Sequence, residues 1–113
     1  MTIPQEVLDE VIDLVDSYGV KPASWIKGTK YNEQYFSSFI QKCNAFIVIL
    51  PNLDWSCEGY KMTSGSRKEL TIAVRAKRPI YLAYRNKNDG LGIYAADVTT
   101  AVDGSSGIVH PNN

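Results

Sequence analysis

Histidine is nearly missing from this chain of 113 residues: His110 is the only one, and it sits in a polar C-terminal stretch. A Ser–His or Cys–His nucleophilic pair needs an imidazole close to its partner, so that chemistry is not expected. Cysteine is almost as scarce. Cys43 and Cys57 are too few for a disulfide framework and lack the second pair of ligands that a zinc site needs, so no metal and no cofactor is implied. Cys43 falls on the apolar side of an expected helix and reads as a small core residue, whereas Cys57 falls in a loop. No apolar run exceeds Ala45 to Pro51, far short of the ~20 residues of a membrane span. The first residues carry acids and no basic segment ahead of an apolar one, unlike a secretory leader, so a reduced, cytoplasmic protein is expected. Net charge is also absent. Lys+Arg number 12 and Asp+Glu 12, which argues against a nucleic-acid polymer as partner, since gripping one needs a surplus of cations.

What is present is an ordinary apolar fraction, 44 %, enough for one folded domain and too much for a wholly disordered chain. The reading is a single α/β domain over residues 1–100 with a flexible C-terminal tail, 101–113, marked by Gly104-Ser105-Ser106-Gly107 and the Pro-Asn-Asn end. Charge is balanced in sum but not along the chain. Residues 1–20 hold five acids and no Lys or Arg, while residues 61–87 hold eight of the twelve cations with Glu69 as the only acid. Two solvated helix faces of opposite sign explain this, as does a local field for an anion, or a homo-oligomer joined acid face to basic face.

Hydrophobic spacing places the elements. A helix over roughly 3–18 follows from Leu8, Val11, Ile12 and Val15, with Val7, Leu14 and Tyr18 widening the stripe. Thr2 with Gln5 resembles a capping box, Pro4 fits the first turn, and Gly19 supplies the stop. Val20 to Ile26 reads as an edge strand or extended loop, because of Pro22. Asn32 opens a second helix to about Cys43, burying Tyr35, Phe36, Phe39, Ile40 and Cys43. Ala45 to Leu50, apolar at every position, reads as a central parallel strand covered on both faces. After a long loop, a third helix at about 66–77 buries Leu70, Ala73 and Val74. Pro79 to Tyr84 is a second buried strand. Asn86 to Gly90 is turn chemistry, and Ile93 to Val98 is a further strand, a candidate hairpin partner. Helix, buried strand, helix, buried strand predicts a three-layer α/β sandwich with a small, mostly parallel sheet and a flavodoxin-like outline. Ligands of such sheets bind beyond the carboxyl ends of the strands.

The chemistry-bearing residues fall on that side. In the loop from Pro51, Asn52 and Asp54 are polar, while Trp55 and Tyr60 offer aromatic faces that suit a base or equally the edge of the core. Thr63-Ser64-Gly65-Ser66 leads into a helix N-terminus, where N–H groups and the dipole favour an anion and small residues admit close approach. The same residues support a capping box, Ser66 with Glu69 three residues on. The spacing of a Walker loop is absent.

Lys42-Cys43-Asn44-Ala45, the strand Phe46 to Leu50, Asp54-Trp55, Ser64-Gly65, Glu69, Ala73 and Lys77-Arg78-Pro79-Ile80-Tyr81-Leu82 together resemble the nucleoside 2-deoxyribosyltransferase superfamily and its small relatives. The resemblance covers Phe39 to Tyr84, about 45 residues of the 113. More distantly, the strand, loop and helix are similar to those of TIR domains. The resemblance implies chemistry at the N-glycosidic bond of a nucleoside or nucleotide, with Glu69 as nucleophile; Asp54, Asn52 or Tyr60 on the preceding loop is available to aid the departing base. Asn52, Trp55, Tyr60, Ser64, Gly65 and Ser66 would then contact substrate. A carboxylate beneath the anomeric carbon can stabilise an oxocarbenium-like transition state or form a covalent intermediate. The family's opening strand with its Tyr-x-Ala-Gly-Pro type motif has no counterpart, and Asn44 stands where the family has Asp. A non-catalytic module that binds a nucleotide or a protein through the same crevice is the alternative.

Overall fold

The structure, a computed structural model, describes residues 4–21, 33–49, 64–86 and 90–109. Helix α1 spans Gln5–Ser17, α2 Glu33–Gln41 and α3 Ser64–Arg75; strands β1, β2 and β3 are Phe46–Ile49, Ile80–Asn86 and Gly90–Ala95; β4 is Val98–Thr100 and β5 Ser106–Ile108. The result is a small mixed α/β protein. One sheet has the order β1-β2-β3, and β4 and β5 form a separate two-stranded ribbon.

The sheet is mixed where a mostly parallel one was expected. β1 runs parallel to β2, Phe46 opposite Ile80 and Ile49 opposite Ala83, while β3 returns antiparallel to β2, Tyr81 opposite Ala95 and Asn86 opposite Gly90. The tight connection after Asn86 leaves room only for a hairpin, whereas a parallel neighbour requires a crossover, which α3 supplies between β1 and β2. Strand β1, expected at the centre, is an edge of the described sheet, and β2 is in the middle. Its unbroken apolar sequence still has a cause. Ile47 and Ile49 pack with Val11 and Val15 of α1, while Val48 packs with Leu70 of α3 and Phe46 lies against both α2 and α3. A strand covered on both faces needs apolar side chains at every position, edge or not.

Helix ends explain the element boundaries. α1 begins one residue after Pro4, which takes the N-cap position with extended backbone (φ −57°, ψ 142°) and no side-chain cap. The carbonyl of Pro4 accepts from the N–H groups of Val7 and Leu8; Thr2, the expected cap, lies outside the described residues. At the other end Gly19 adopts φ 74°, its N–H donating to Asp16 O and that of Val20 to Val15 O, the paired bonds of a Schellman stop. Tyr18 lies beyond this stripe and is exposed. α3 stops by the same geometry with Lys77 in the left-handed position (φ 58°), Lys77 N–H bonding Val74 O and Arg78 N–H bonding Ala73 O. Arg78 then reaches back to α2, donating from Nη2 to Gln41 O at 2.9 Å and from Nε to Ile40 O at 3.4 Å. Since α2 has no basic residue in its own last turn, the cation facing its negative dipole end comes from the α3–β2 connection.

The core is built around α3. Leu70 and Ala73 have no exposed surface; Leu70 packs with Val48 and Leu82, and Ala73 with Phe36, Ile40 and Ile72. Phe36 meets Phe46 edge-on, ring centroids 6.4 Å apart. On β3, Gly92 is covered by the Tyr94 ring, which stacks obliquely on Tyr84 at 4.7 Å; a Cβ at Gly92 would come within 2.6 Å of that ring's hydroxyl. The glycine is therefore a consequence of the aromatic pair beside it.

Within the segment 101–113, read as a tail, residues 106–108 form strand β5. β5 pairs antiparallel with β4, Val98 opposite Ile108, through a turn in which Gly104 N–H bonds Ala101 O and Ala101 N–H bonds Ser105 O. Gly104 takes φ 86°, as expected of a tight turn ending in a left-handed residue. Ser106 is buried, and its N–H donates to Thr71 Oγ1 at 2.9 Å, while that hydroxyl donates to Arg67 O at 2.7 Å. This pairing satisfies a buried backbone donor that the ribbon leaves open.

Leu70→Ala would empty a fully buried site and should cost about 2–5 kcal/mol in denaturant unfolding. Thr71→Val keeps the shape but orphans the Ser106 N–H, so a loss of about 1–3 kcal/mol is expected, with Thr71→Ser restoring most of it.

Candidate functional site

The link of residues 76–79 ties the C-terminal end of α3 to the amino ends of β1 and β2, where Phe46 N–H bonds Pro79 O. The N-terminal end of α3 therefore lies toward the carboxyl ends of the parallel pair, the side on which α/β sheets hold ligands. Of the residues singled out by sequence, Ser64, Gly65, Ser66 and Glu69 come together there, on the first two turns of α3. Asn52, Asp54, Trp55 and Tyr60 lie outside the described residues, as do Cys57 and His110.

The capping box between Ser66 and Glu69 does not form. α3 starts at Ser64, so Ser66 is its third residue and already inside the first turn. Gly65 is exposed, and a Cβ there would meet no atom of the described residues within 4 Å, so packing among them does not demand a glycine at this position.

Glu69 is half-buried, and its carboxyl is held above its ordinary range by desolvation. No hydrogen bond or ion pair reaches it from the described residues to offset that burial. In helical spacing it heads the row that continues through Ile72, Ala73 and Ala76, whose members pack against Phe36 and Ile40 of α2. The acid thus sits where the α2–α3 interface runs out toward the carboxyl ends of β1 and β2. A desolvated acid without a compensating partner is a local conflict of the kind that concentrates at functional sites.

A second feature was not anticipated by the sequence reading. A groove of about 460 Å³ opens between α3 and the β4–β5 turn, bordered by Arg67, Lys68 and Arg75 from the helix and by Asp103 and Ser105 from the turn, with Ile72 at its base. Glu69 does not border it. Arg67 Nη2 donates to Ser105 Oγ at 2.9 Å, and that hydroxyl donates to Asp103 Oδ1 at 2.7 Å. The Ser105 N–H also donates to Asp103 Oδ1, at 2.9 Å. These bonds from the Ser105 side chain and backbone, with the Arg67 charge behind them, hold the Asp103 carboxyl below its ordinary range. The sequence carried two signals for this groove: cations and a polar residue recurring at Lys68, Thr71 and Arg75, and the turn dipeptide Asp103-Gly104.

Elsewhere the acidic face of α1 is partly answered within the chain. Glu10 takes both carboxylate oxygens to Arg85 Nη2, at 2.9 and 2.7 Å, an exposed pair of small energetic weight. Among the described residues no cluster of three His, Cys, Asp or Glu side chains could hold a metal ion, and no helix is long and apolar enough to cross a membrane.

The fold and these two features define a small mixed α/β protein with a half-buried acid toward the end of the sheet where its parallel strands finish. No protein-family model, no curated protein and no solved structure matches the chain.

Glu69→Gln removes a charge that burial disfavours. Because the folded carboxyl titrates above its unfolded value, the folded protein holds the proton more tightly and loses stability as pH rises through the interval between the two. The Tm of Glu69→Gln should accordingly exceed that of the wild type at pH 7, and the difference should vanish in scans below the ordinary carboxylate range.

Proposed function

We propose that this chain is a nucleoside- or nucleotide-directed protein acting at an N-glycosidic bond, with Glu69 as the carboxylate that meets the sugar. The observation that carries the reading is the half-buried Glu69 carboxyl, desolvated and unpartnered among the described residues, near the carboxyl ends of β1 and β2. A flavodoxin-like, three-layer outline belongs to the same reading. It is supported by α1 packing on Ile47, Ile49 and Ala83 while α3 packs on Val48 and Leu82, alternate side chains of the same strands.

The chemistry follows from the burial. A Glu69 carboxylate oxygen bonds to the anomeric carbon as the bond from that carbon to the base nitrogen breaks. The bonding electrons leave with the base, which takes a proton from an acid; Asp54 is the candidate supplied by the sequence. Attack converts a desolvated anion into a neutral ester, so the burial that raises the acid's pKa favours the covalent state. Water then releases the sugar and regenerates the carboxylate, giving an N-glycosidase, or a second base does so, giving a transferase.

A second reading, a non-catalytic module that binds a nucleotide or a protein, is favoured by one observation: the groove beside α3 is bordered by cations and excludes Glu69.

Incubation with deoxynucleosides, deoxynucleotides and NAD, followed by chromatography for free base or nicotinamide, tests the first reading. The wild type should release one of them and Glu69→Gln should fall to the buffer background. Equal release by both proteins, or none by either, sinks it. In the second case, a Tm raised by a nucleotide without turnover supports the binding module.

A further inference from the structure

We infer that the groove between α3 and the β4–β5 turn is a binding site for the phosphate group of a small molecule. The site is distinct from the surroundings of Glu69 and does not depend on the reading given to that residue.

Charge is the first argument. Arg67, Lys68 and Arg75 face the groove with Asp103 as the single acid among the described lining residues, which leaves an excess of two positive charges suited to a phosphate dianion. Lys68 and Arg75 are exposed and make no ion pair or hydrogen bond to any described residue. Their charges are therefore available to a ligand, and their mutual repulsion is relieved when an anion enters.

Preorganisation is the second. The Arg67 guanidinium is anchored at one nitrogen by Ser105 Oγ, and Ser105 is itself fixed by Asp103, so the rest of the guanidinium fork is presented without first losing side-chain freedom. Arg67 is also secured through its backbone, since its carbonyl accepts from Thr71 Oγ1, which in turn holds Ser106 N–H. The second guanidinium lies beside the turn: a Cβ built on Gly104 would stand 3.7 Å from Arg75 Nη2, an ordinary contact distance. Two guanidinium groups converging on one hollow match the several oxygens of a phosphate better than the two of a carboxylate.

Size and background charge fix the ligand class. A groove of about 460 Å³ falls within the range for small-molecule sites. The chain as a whole has no net charge, so it lacks the field that holds a phosphate polymer. Ile72 at the base offers an apolar surface to whatever carries the phosphate.

The test is titration of the intact protein with inorganic phosphate, pyrophosphate, a deoxynucleoside monophosphate and its unphosphorylated nucleoside, at fixed ionic strength in chloride, read by calorimetry and by the amide signals of Gly104 and Ser105. At least one phosphate compound should bind and shift those amides, with the nucleoside much weaker. A monophosphate tighter than inorganic phosphate identifies an organic phosphate as the ligand; the reverse identifies the free anion. Lys68→Ala combined with Arg75→Ala, both at exposed positions, should weaken binding more than tenfold with Tm unchanged in the absence of ligand, and Glu69→Gln should leave binding as in the wild type. Binding of no phosphate compound overturns the proposal, as does a double variant that binds within twofold of the wild type. Base release abolished by Glu69→Gln bears on the glycosidic reading alone, so the two can fail separately.

Discussion

The parallel pairing of β1 with β2 is the constraint from which the rest of the molecule follows. Two parallel neighbours need a crossover between them, and α3 is that crossover, so it must lie across the sheet and be apolar where it touches. Leu70 meets Val48 and Leu82 with no exposed surface, and Ala73, equally buried, is small enough to let α2 close on the next side of the helix. Dense burial of this kind leaves little freedom: rotating α3 would take Leu70 off the sheet and Ala73 out of the α2 contact together. The remaining sides of the helix are thereby assigned as well. Arg67 and Thr71 meet the C-terminal ribbon, Lys68 and Arg75 stand toward solvent at its groove, and Glu69 falls at the open end of the α2 interface.

One helix thus separates two kinds of electrostatic environment. On one side a carboxyl is desolvated, without a compensating partner among the described residues, and so titrates high. On the other, a carboxyl in the β4–β5 turn is exposed and titrates low, because Ser105 donates to it twice and Arg67 stands close behind. The contrast is the ordinary consequence of where charge is answered. Desolvation alone penalises the ion, whereas hydrogen bonds and a nearby cation stabilise it. The acid that the fold leaves unanswered carries the glycosidic reading, and the cations left unanswered across the helix carry the phosphate site.

Local chemistry was readable where a few neighbouring residues suffice. The α1 stop at Gly19 needed only a left-handed residue, and a hairpin partner after Asn86 needed only a turn followed by apolar residues, though the strand runs over Gly90–Ala95 and not the expected Ile93 to Val98, whose last residue belongs to β4. The third helix was placed two residues late because Ser66 and Glu69 match a capping pattern, yet the helix continues to Ser64. Its end was missed for a related reason, since Lys77, not a glycine, occupies the left-handed position. Strand β5 was hidden more deeply. Gly104-Ser105-Ser106-Gly107 has the composition of a linker, and what orders it is Thr71, 35 positions away from Ser106 in the chain. No local pattern reports a hydroxyl that distant.

By itself, then, the amino-acid order determined that there would be an amphipathic acidic first helix, two apolar strands separated by a helix, and a lone acid among cations on that helix. Each of these depends on side-chain spacing within one element. Only the tertiary structure decided that β1 lies at an edge, that the third strand returns antiparallel, that Glu69 is desolvated, and that Arg67, Lys68 and Arg75 share a hollow with Asp103. Solvation and field at a charged group are set by all the atoms around it, and most of those atoms belong to residues far away along the chain.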